Sequence, residues 1–246
     1  MLPKKIIEIR VSKALYRSKL PDLDYSLNPY QGCSFGCVYC YAIHFTGIEE
    51  AANNWGEVVA VKVNLVEVLR REVMHTTKKG VVGVGMTITT MDPSLARVIE
   101  PRAPHPLARA RALKKISDSL IYTWIFLGPI IPGLNDSEEH IEGVIGAASE
   151  SNSLVIFDLL NIYDRTWSYM KERLDRDEVT KIYRVVRYGS KGYWSRIKSL
   201  VLKLCTKYGV MCIDFHLSDP FETNSWPSIR KAGYIGRGGG SQKRLF

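Results

Sequence analysis

No run of about 18 apolar residues occurs in this chain, so nothing in it is long enough to cross a bilayer as a helix. The opening stretch MLPKKIIEIRVSK has no extended apolar segment and is not expected to act as a secretory signal. There is no internal repeat and no low-complexity tract beyond the Gly-rich ending IGRGGGSQKRLF, which reads as a mobile tail. Cysteine is scarce and unevenly placed. The chain has 5 cysteines, none of them between residues 41 and 204, and an odd count with one tight cluster argues for a metal site in a reducing compartment over a disulfide framework. Together these absences point to a cytoplasmic protein with no membrane partner.

What is present describes a folded domain. At 246 residues, with 46% hydrophobic and 24% charged residues, the chain can bury a substantial core. The net charge of +9 is concentrated at one end: residues 165–246 hold 17 Lys and Arg against 7 Asp and Glu, while the remainder is close to neutral. A basic final third suggests contact with a polyanion, nucleic acid among them. A solvated Lys- and Arg-rich surface explains the same numbers.

Strand-like and helix-like stretches alternate along the chain. NLVEVLRREVMHTTKKG reads as a helix, with Asn64 as its cap, Glu67 at the capping-box position, and Lys78, Lys79 and Gly80 at its end. VVGVGMTITTMD (81–92) follows as a strand, then a helix over 107–117 and an apolar strand over 120–128. The turn PIIPGLND leads into a helix opened by Asp136 and Glu139, and residues 153–160 form another strand. Beyond residue 164 the pattern is mostly helical, interrupted at Gly189 and Gly192, with a last strand over 210–217. Five or six strands alternating with helices predict parallel βαβ units, too few for a closed eight-stranded barrel.

The stretch LNPYQGCSFGCVYCYA carries three of the cysteines, Cys33, Cys37 and Cys40, spaced Cys-x3-Cys-x2-Cys. Structural zinc sites are four-coordinate and usually pair two short hairpins, so this triplet fits zinc poorly. A fourth ligand from His44, Cys205, Cys212 or His216 keeps zinc open. An iron–sulfur cluster fits more naturally, since three thiolates on a four-iron cube leave one iron for a small molecule. Gly32 and Gly36 would let backbone amides approach the cluster sulfurs.

With these residues in view, the chain resembles the radical S-adenosylmethionine (SAM) enzymes. Its flanks, YSLNPYQGCSFGCVYCYA, are similar to the spore photoproduct lyase-like branch, also labelled DNA repair photolyase-like. Further matches follow in order: VKVN (61–64), TITTMD (87–92), EPRAPHPLAR (100–109) and PIIPGLND (129–136). The resemblance implies a [4Fe-4S] cluster on Cys33, Cys37 and Cys40, with SAM chelated at the open iron. It further implies that one electron from a reductant cleaves SAM to methionine and a 5′-deoxyadenosyl radical. Tyr39 would lie beside the adenine, Thr87 stands where the branch usually has a SAM-contacting Ser, and Arg109 would face the SAM carboxylate. Each position has a plainer reading: Tyr39 as packing, Thr87 as a strand residue, Arg109 as the ion-pair partner of Glu100. Asn135 and Asp136 would end a strand at the catalytic mouth.

The chain departs from that family in two ways. The family carries a strand with a polar SAM-binding motif and another with a SAM-binding lysine; here roughly forty to fifty residues, one or two βα units, have no counterpart. Spore photoproduct lyases also use a further cysteine as hydrogen donor. Cys205 in a helix and Cys212 in an apolar strand read as core residues instead, so authentic photoproduct repair is not expected.

The resulting expectation is an α/β protein with a partial (β/α) barrel of the radical SAM type, reduced in strand number. Residues 1–164 would form the core with the cluster loop, and 165–246 a basic, mostly helical part completing the same domain. A partner chain could supply the missing wall. The competing reading is a non-catalytic iron–sulfur or zinc protein, and a third is a basic nucleic-acid-binding module. In the last, Trp167, Tyr169, Tyr183, Tyr188, Tyr193 and Trp194 interleave with Arg and Lys as a stacking and phosphate surface, or serve as helical core.

Overall fold

A computed structural model describes residues 3–17, 25–74 and 83–215. The Gly-rich ending, His216, and Lys78, Lys79 and Gly80 lie outside the described residues. In chain order the first half comprises β1 (Lys5–Ile9), β2 (Leu15–Arg17), β3 (Tyr25–Leu27), β4 (Tyr30–Gln31), α1 (Ala42–Phe45), α2 (Glu49–Asn53), β5 (Val58–Lys62) and α3 (Leu65–Met74). The second half follows with β6 (Gly83–Thr87), α4 (Pro93–Ile99), α5 (Pro106–Asp118), β7 (Tyr122–Ile130), α6 (Glu138–Glu150) and β8 (Leu154–Leu159). It closes with α7 (Asp164–Lys171), α8 (Arg176–Tyr188), α9 (Ser190–Tyr208) and β9 (Cys212–Asp214).

Among the described residues the strands form three sheets, not an arc of one. β6, β7, β8 and β9 make a four-stranded parallel sheet, β2 and β3 an antiparallel pair, and β1, β5 and β4 a mixed three-stranded sheet. This corrects the expected partial (β/α) barrel of the radical SAM type. Barrel continuity would require β5 to pair with β6. β5 is already paired on both sides, parallel to β1 through Ile7 and Ala60 and antiparallel to β4 through Gln31 and Ala60. With both edges filled it has no hydrogen-bonding row left for β6, which is therefore an edge strand among the described residues. The fold is mixed α/β, with no closed barrel among the described residues.

The main core lies on one face of the parallel sheet. Alternation along β7 and β8 turns Ile125, Leu127, Val155 and Phe157 toward α5, α6 and α9, where they meet Leu113, Ile141, Ile145, Trp194, Ile197 and Val201. All ten are buried, and at about 1.5–3 kcal/mol for each large apolar side chain this layer holds the sheet and its helices together. A second cluster sits at the carboxyl ends of the strands. Val38, Tyr39, Ile99, Ile131, Leu160, Met170 and Ile182 join the cysteine loop to the end of α4, the turns after β7 and β8, and α7 and α8.

Local details depart from the sequence reading where side chains have non-local partners. The Asn64 amide bridges to both the N–H and the carbonyl of Val11, so it ties α3 to the chain after β1. Ser137, not Asp136, caps α6, accepting from the His140 N–H at 3.2 Å. Gly189 separates α8 from α9 as expected, but Gly192 lies inside α9. No helix among the described residues is long and apolar enough to cross a membrane.

Candidate metal centre

The cysteine loop leaves β4 through a turn that only glycine can make. Gly32 has φ +81°, and a Cβ there would lie 2.6 Å from the carbonyl oxygen of Val58. Gly36 (φ +66°) then faces Gly56 (φ +88°), so close that a Cβ on Gly56 would sit 3.0 Å from Gly36 Cα. Backbone bonds fix the rest. The Cys33 carbonyl accepts from Gly56 N at 3.1 Å, Phe35 O from Arg102 N at 3.1 Å, and Ile99 O from Val38 N at 2.9 Å. Thr166 of α7 donates its hydroxyl to the Cys40 carbonyl at 3.3 Å. The two loop glycines thus have a structural reason of their own, different from the approach of amides to sulfur expected of them.

Cys33, Cys37 and Cys40 are all free and partly buried. Burial pushes the Cys37 thiol well above its ordinary value, and Glu100, Cys40 and Cys33 push it further as negative neighbours, with Tyr39 alone opposing. Burial raises Cys40 to about 11, partly offset by a backbone bond at Ala42, with Cys33 adding to the rise. The three sulfurs therefore share one electrostatic environment in which thiolates repel one another. A bound cation reverses that balance, which is the donor chemistry a thiophilic metal centre uses.

Behind the loop lies a buried carboxylate. Glu100, at the end of α4, is 3% exposed, and a carboxylate there requires compensating donors. It accepts hydrogen bonds from the Tyr39 hydroxyl, from Thr89 Oγ1 at 2.8 Å, and from Arg109 Nη2 in an ion pair. Arg109 Nη1 also donates to the Thr87 carbonyl at 2.7 Å, while Arg109 Nε is buried with no partner. Asn135, fully buried, donates to Thr89 O at 2.8 Å and to Pro129 O at 3.1 Å, and accepts from Ile131 N at 2.6 Å. The carboxyl ends of β6 and β7, the α4–α5 corner and the cysteine loop are thereby joined in one polar network.

Tyr39, Thr87 and Arg109 are thus brought together, but around Glu100. Arg109 spends its guanidinium on Glu100 and the Thr87 backbone, Tyr39 is buried with its hydroxyl on the same carboxylate, and the Thr87 side chain is exposed at the strand end. Burial, then the negative Cys37 and Glu100, hold the Tyr39 hydroxyl well above the ordinary phenol value, so it stays a donor. The sequence showed Glu100 only as a partner for Arg109; its role as the common acceptor depends on Tyr39 and Thr89, which no local pattern links to it. Asp136 accepts from Gly133 N and from the Tyr193 hydroxyl, each at 3.0 Å, and so braces the turn against α9.

Of the candidate fourth ligands, the three within the described residues are engaged elsewhere. His44 stacks on Tyr163 at 5.0 Å and meets Phe45 edge-on at 4.9 Å. Cys205 and Cys212 belong to the main core, as their sequence context suggested, and there they form a disulfide between α9 and β9, which the expectation of a metal site over disulfides did not foresee. Among the described residues no three His, Cys, Asp or Glu side chains are gathered as closely as a single metal ion requires. In a cluster each thiolate binds its own iron, and the sulfurs stand farther apart than the ligands of one ion. Three free thiols on one pinned loop fit such a group.

The aromatic residues of the basic third divide between core and surface. Trp194 is buried against Phe157, Tyr193 is bound to Asp136, and Tyr169 donates to Trp55 O at 3.1 Å under the Arg173 guanidinium. Trp167 is partly buried, and Tyr183 and Tyr188 are exposed.

No protein-family model matches the chain. It is similar to an uncharacterized protein of Methanocaldococcus jannaschii, 27% identical over 208 residues that cover 64% of this chain and 78% of that protein. It is also similar to uncharacterized proteins of Mycobacterium bovis and Mycobacterium tuberculosis, each 22% identical over 252 residues covering 75% of this chain and 74% of theirs. In the archaeal comparison, 64% of 246 residues is about 157, so 208 aligned positions leave about 50 where the relative has residues and this chain has none.

Proposed function

We propose that the chain binds a [4Fe-4S] cluster through Cys33, Cys37 and Cys40 and acts as a radical SAM enzyme. The observation that carries this reading is the free Cys-x3-Cys-x2-Cys triplet on one loop, with Tyr39, which precedes its last cysteine, buried in the apolar cluster beside Cys37. When bound, the cluster and SAM supply a one-electron reductive cleavage of a sulfonium bond, with the electron drawn from an external reductant. The chain's own residues hold and shield that centre. Gly32, Gly36 and Gly56 set the loop path, Val38 and Tyr39 anchor it in the apolar cluster, and Thr166 holds the Cys40 carbonyl. Glu100, fixed by Tyr39, Thr89 and Arg109, keeps a negative charge near Cys37 and ties the loop to the strand ends. Ligands in open α/β sheets bind at the carboxyl ends of the strands, where this loop sits.

Two observations favour a second reading, in which the same cysteines hold a cluster or zinc and SAM is not turned over. Arg109 is already neutralised by Glu100 and is not free for a ligand carboxylate. The residues missing relative to the archaeal protein are also of the number that one or two βα units occupy. Anaerobic reconstitution with iron and sulfide separates the readings. Both the enzyme and a non-catalytic iron–sulfur protein take up about four iron and four sulfide per chain, lost on Cys33→Ala, Cys37→Ala or Cys40→Ala, whereas a zinc protein takes up none. SAM cleavage then distinguishes the first two.

A further inference from the structure

The cations of the basic third are not equivalent. On α9, Lys198 pairs with Asp214 at 3.2 Å, Lys203 with Glu138 at 3.3 Å and Lys207 with Glu142 at 2.5 Å. On α8, Lys181, Arg184 and Arg187 are exposed, and none of them makes an ion pair with a described residue. Of the acidic residues at the start of α8, Asp175 and Glu178 are committed to a capping box, and Asp177 lies in the first turn, two turns from Arg184. Positive charge therefore rises along the helix toward Tyr188.

The same face carries open aromatic rings. α8 turns Val179, Ile182 and Val186 into the core; Tyr183 and Arg187 are exposed along the flank of that stripe, and Arg184 and Tyr188 on the side opposite it. Trp167 of α7 stacks on Tyr183 at 5.9 Å and 25°, and Tyr183 meets Tyr188 edge-on at 6.2 Å. Tyr188 is 77% exposed, so most of its ring contacts nothing in the fold. Residues i and i+4 share a helix face, which sets Tyr183 over Arg187 and Arg184 over Tyr188. Guanidinium groups able to take phosphate and rings able to take a base thus alternate on one surface.

We infer that the exposed face of α8, from Trp167 to Tyr188, binds single-stranded nucleic acid, stacking bases on Tyr188 and Tyr183 and taking phosphates on Arg184 and Arg187. An unpaired base offers a free ring face and a paired one does not, so the chemistry selects single strands over duplex. The surface begins beside the cysteine loop, because Thr166, next to Trp167, holds the Cys40 carbonyl. The inference does not depend on the metal reading and stands if that reading fails.

The test is fluorescence anisotropy with labelled oligothymidylate and oligouridylate of about 15 nucleotides, alongside a duplex of equal length, across a salt series. Both single strands bind more tightly than the duplex. Tyr188→Ala weakens binding about tenfold or more, and Tyr188→Phe restores it, because the ring and not the hydroxyl carries the stack. Arg184→Gln with Arg187→Gln weakens binding and lowers the salt slope by between about 1 and 2 units, whereas Lys203→Gln with Lys207→Gln, the same charge change on α9, leaves both near wild type. Cys40→Ala binds as wild type. The inference is overturned if the wild-type chain does not bind, if duplex is preferred, if Tyr188→Ala binds as tightly as wild type, or if the α9 pair matters as much as the α8 pair.

Discussion

The Tyr39 hydroxyl and the Arg109 guanidinium converge on one buried carboxylate, Glu100, which couples the middle of the cysteine loop to the end of β6. Removing Arg109 leaves a buried, uncompensated charge. Arg109→Ala is expected to lower stability by about 3–5 kcal/mol in urea denaturation. Tyr39→Phe, which removes one of three donors, lowers it by about 1–2 kcal/mol and leaves iron uptake intact, because the thiols are untouched. The combined Glu100→Gln and Arg109→Met variant costs less than the sum of its parts, since the two side chains satisfy each other. Additive losses would mean that the pair is not coupled.

The disulfide between Cys205 and Cys212 gives a count. The metal-free chain, denatured without reductant, titrates as three thiols, and after reduction as five. Cys212→Ser lowers stability by about 2–3 kcal/mol, the order expected for a closed loop of this length. Five thiols before reduction would show the pair to be open.

The approach of Gly36 to Gly56 predicts a sharp local effect. Gly56→Ala places a Cβ 3.0 Å from Gly36 Cα at a φ of +88°, and is expected to cost about 1–3 kcal/mol and to impair iron uptake. Gly192→Ala, where a Cβ meets nothing within 4 Å inside a helix, is expected to be neutral or to stabilise by up to about 1 kcal/mol.

One surface contact gives an acid-sensitive term. Glu142 on α6 accepts from Lys207 and Tyr208 at the end of α9, and the Lys207 bond, then the Tyr208 bond, hold its carboxyl below the ordinary value of 4.5. The folded state therefore favours the carboxylate. The contribution is complete above that ordinary value and is lost as pH falls through the lowered one. The stability difference between wild type and Glu142→Gln should shrink as the pH falls below the ordinary carboxylate value and on addition of salt. A difference that does not change with pH would remove Glu142 as its source.

Much of the second half was readable from pattern alone. The apolar runs at 120–128 and 153–160 and the amphipathic stretch at 107–117 became β7, β8 and α5 within about two residues, since long buried elements carry their periodicity in the chain. The barrel failed at β5. Its antiparallel neighbour β4 is two residues long and has no period, yet that pairing fills the edge a barrel needs. The three cysteines were visible because their chemistry is local. Glu100 was visible as the ion-pair partner of Arg109, but its role as a common acceptor was not, because that role also needs donors at positions 39 and 89, which only the tertiary fold assembles. The Cys205–Cys212 pair escaped as well, since two cysteines seven residues apart, one on a helix and one on a strand, carry no spacing signal.

The most direct measurement of the central claim is SAM cleavage by the anaerobically reconstituted full chain under a strong one-electron reductant, with Cys40→Ala alongside. The account predicts 5′-deoxyadenosine and methionine from the wild-type chain and none from the variant. A wild-type chain that loads iron and sulfide yet leaves SAM intact would contradict the enzyme reading and leave a cluster-binding protein in its place.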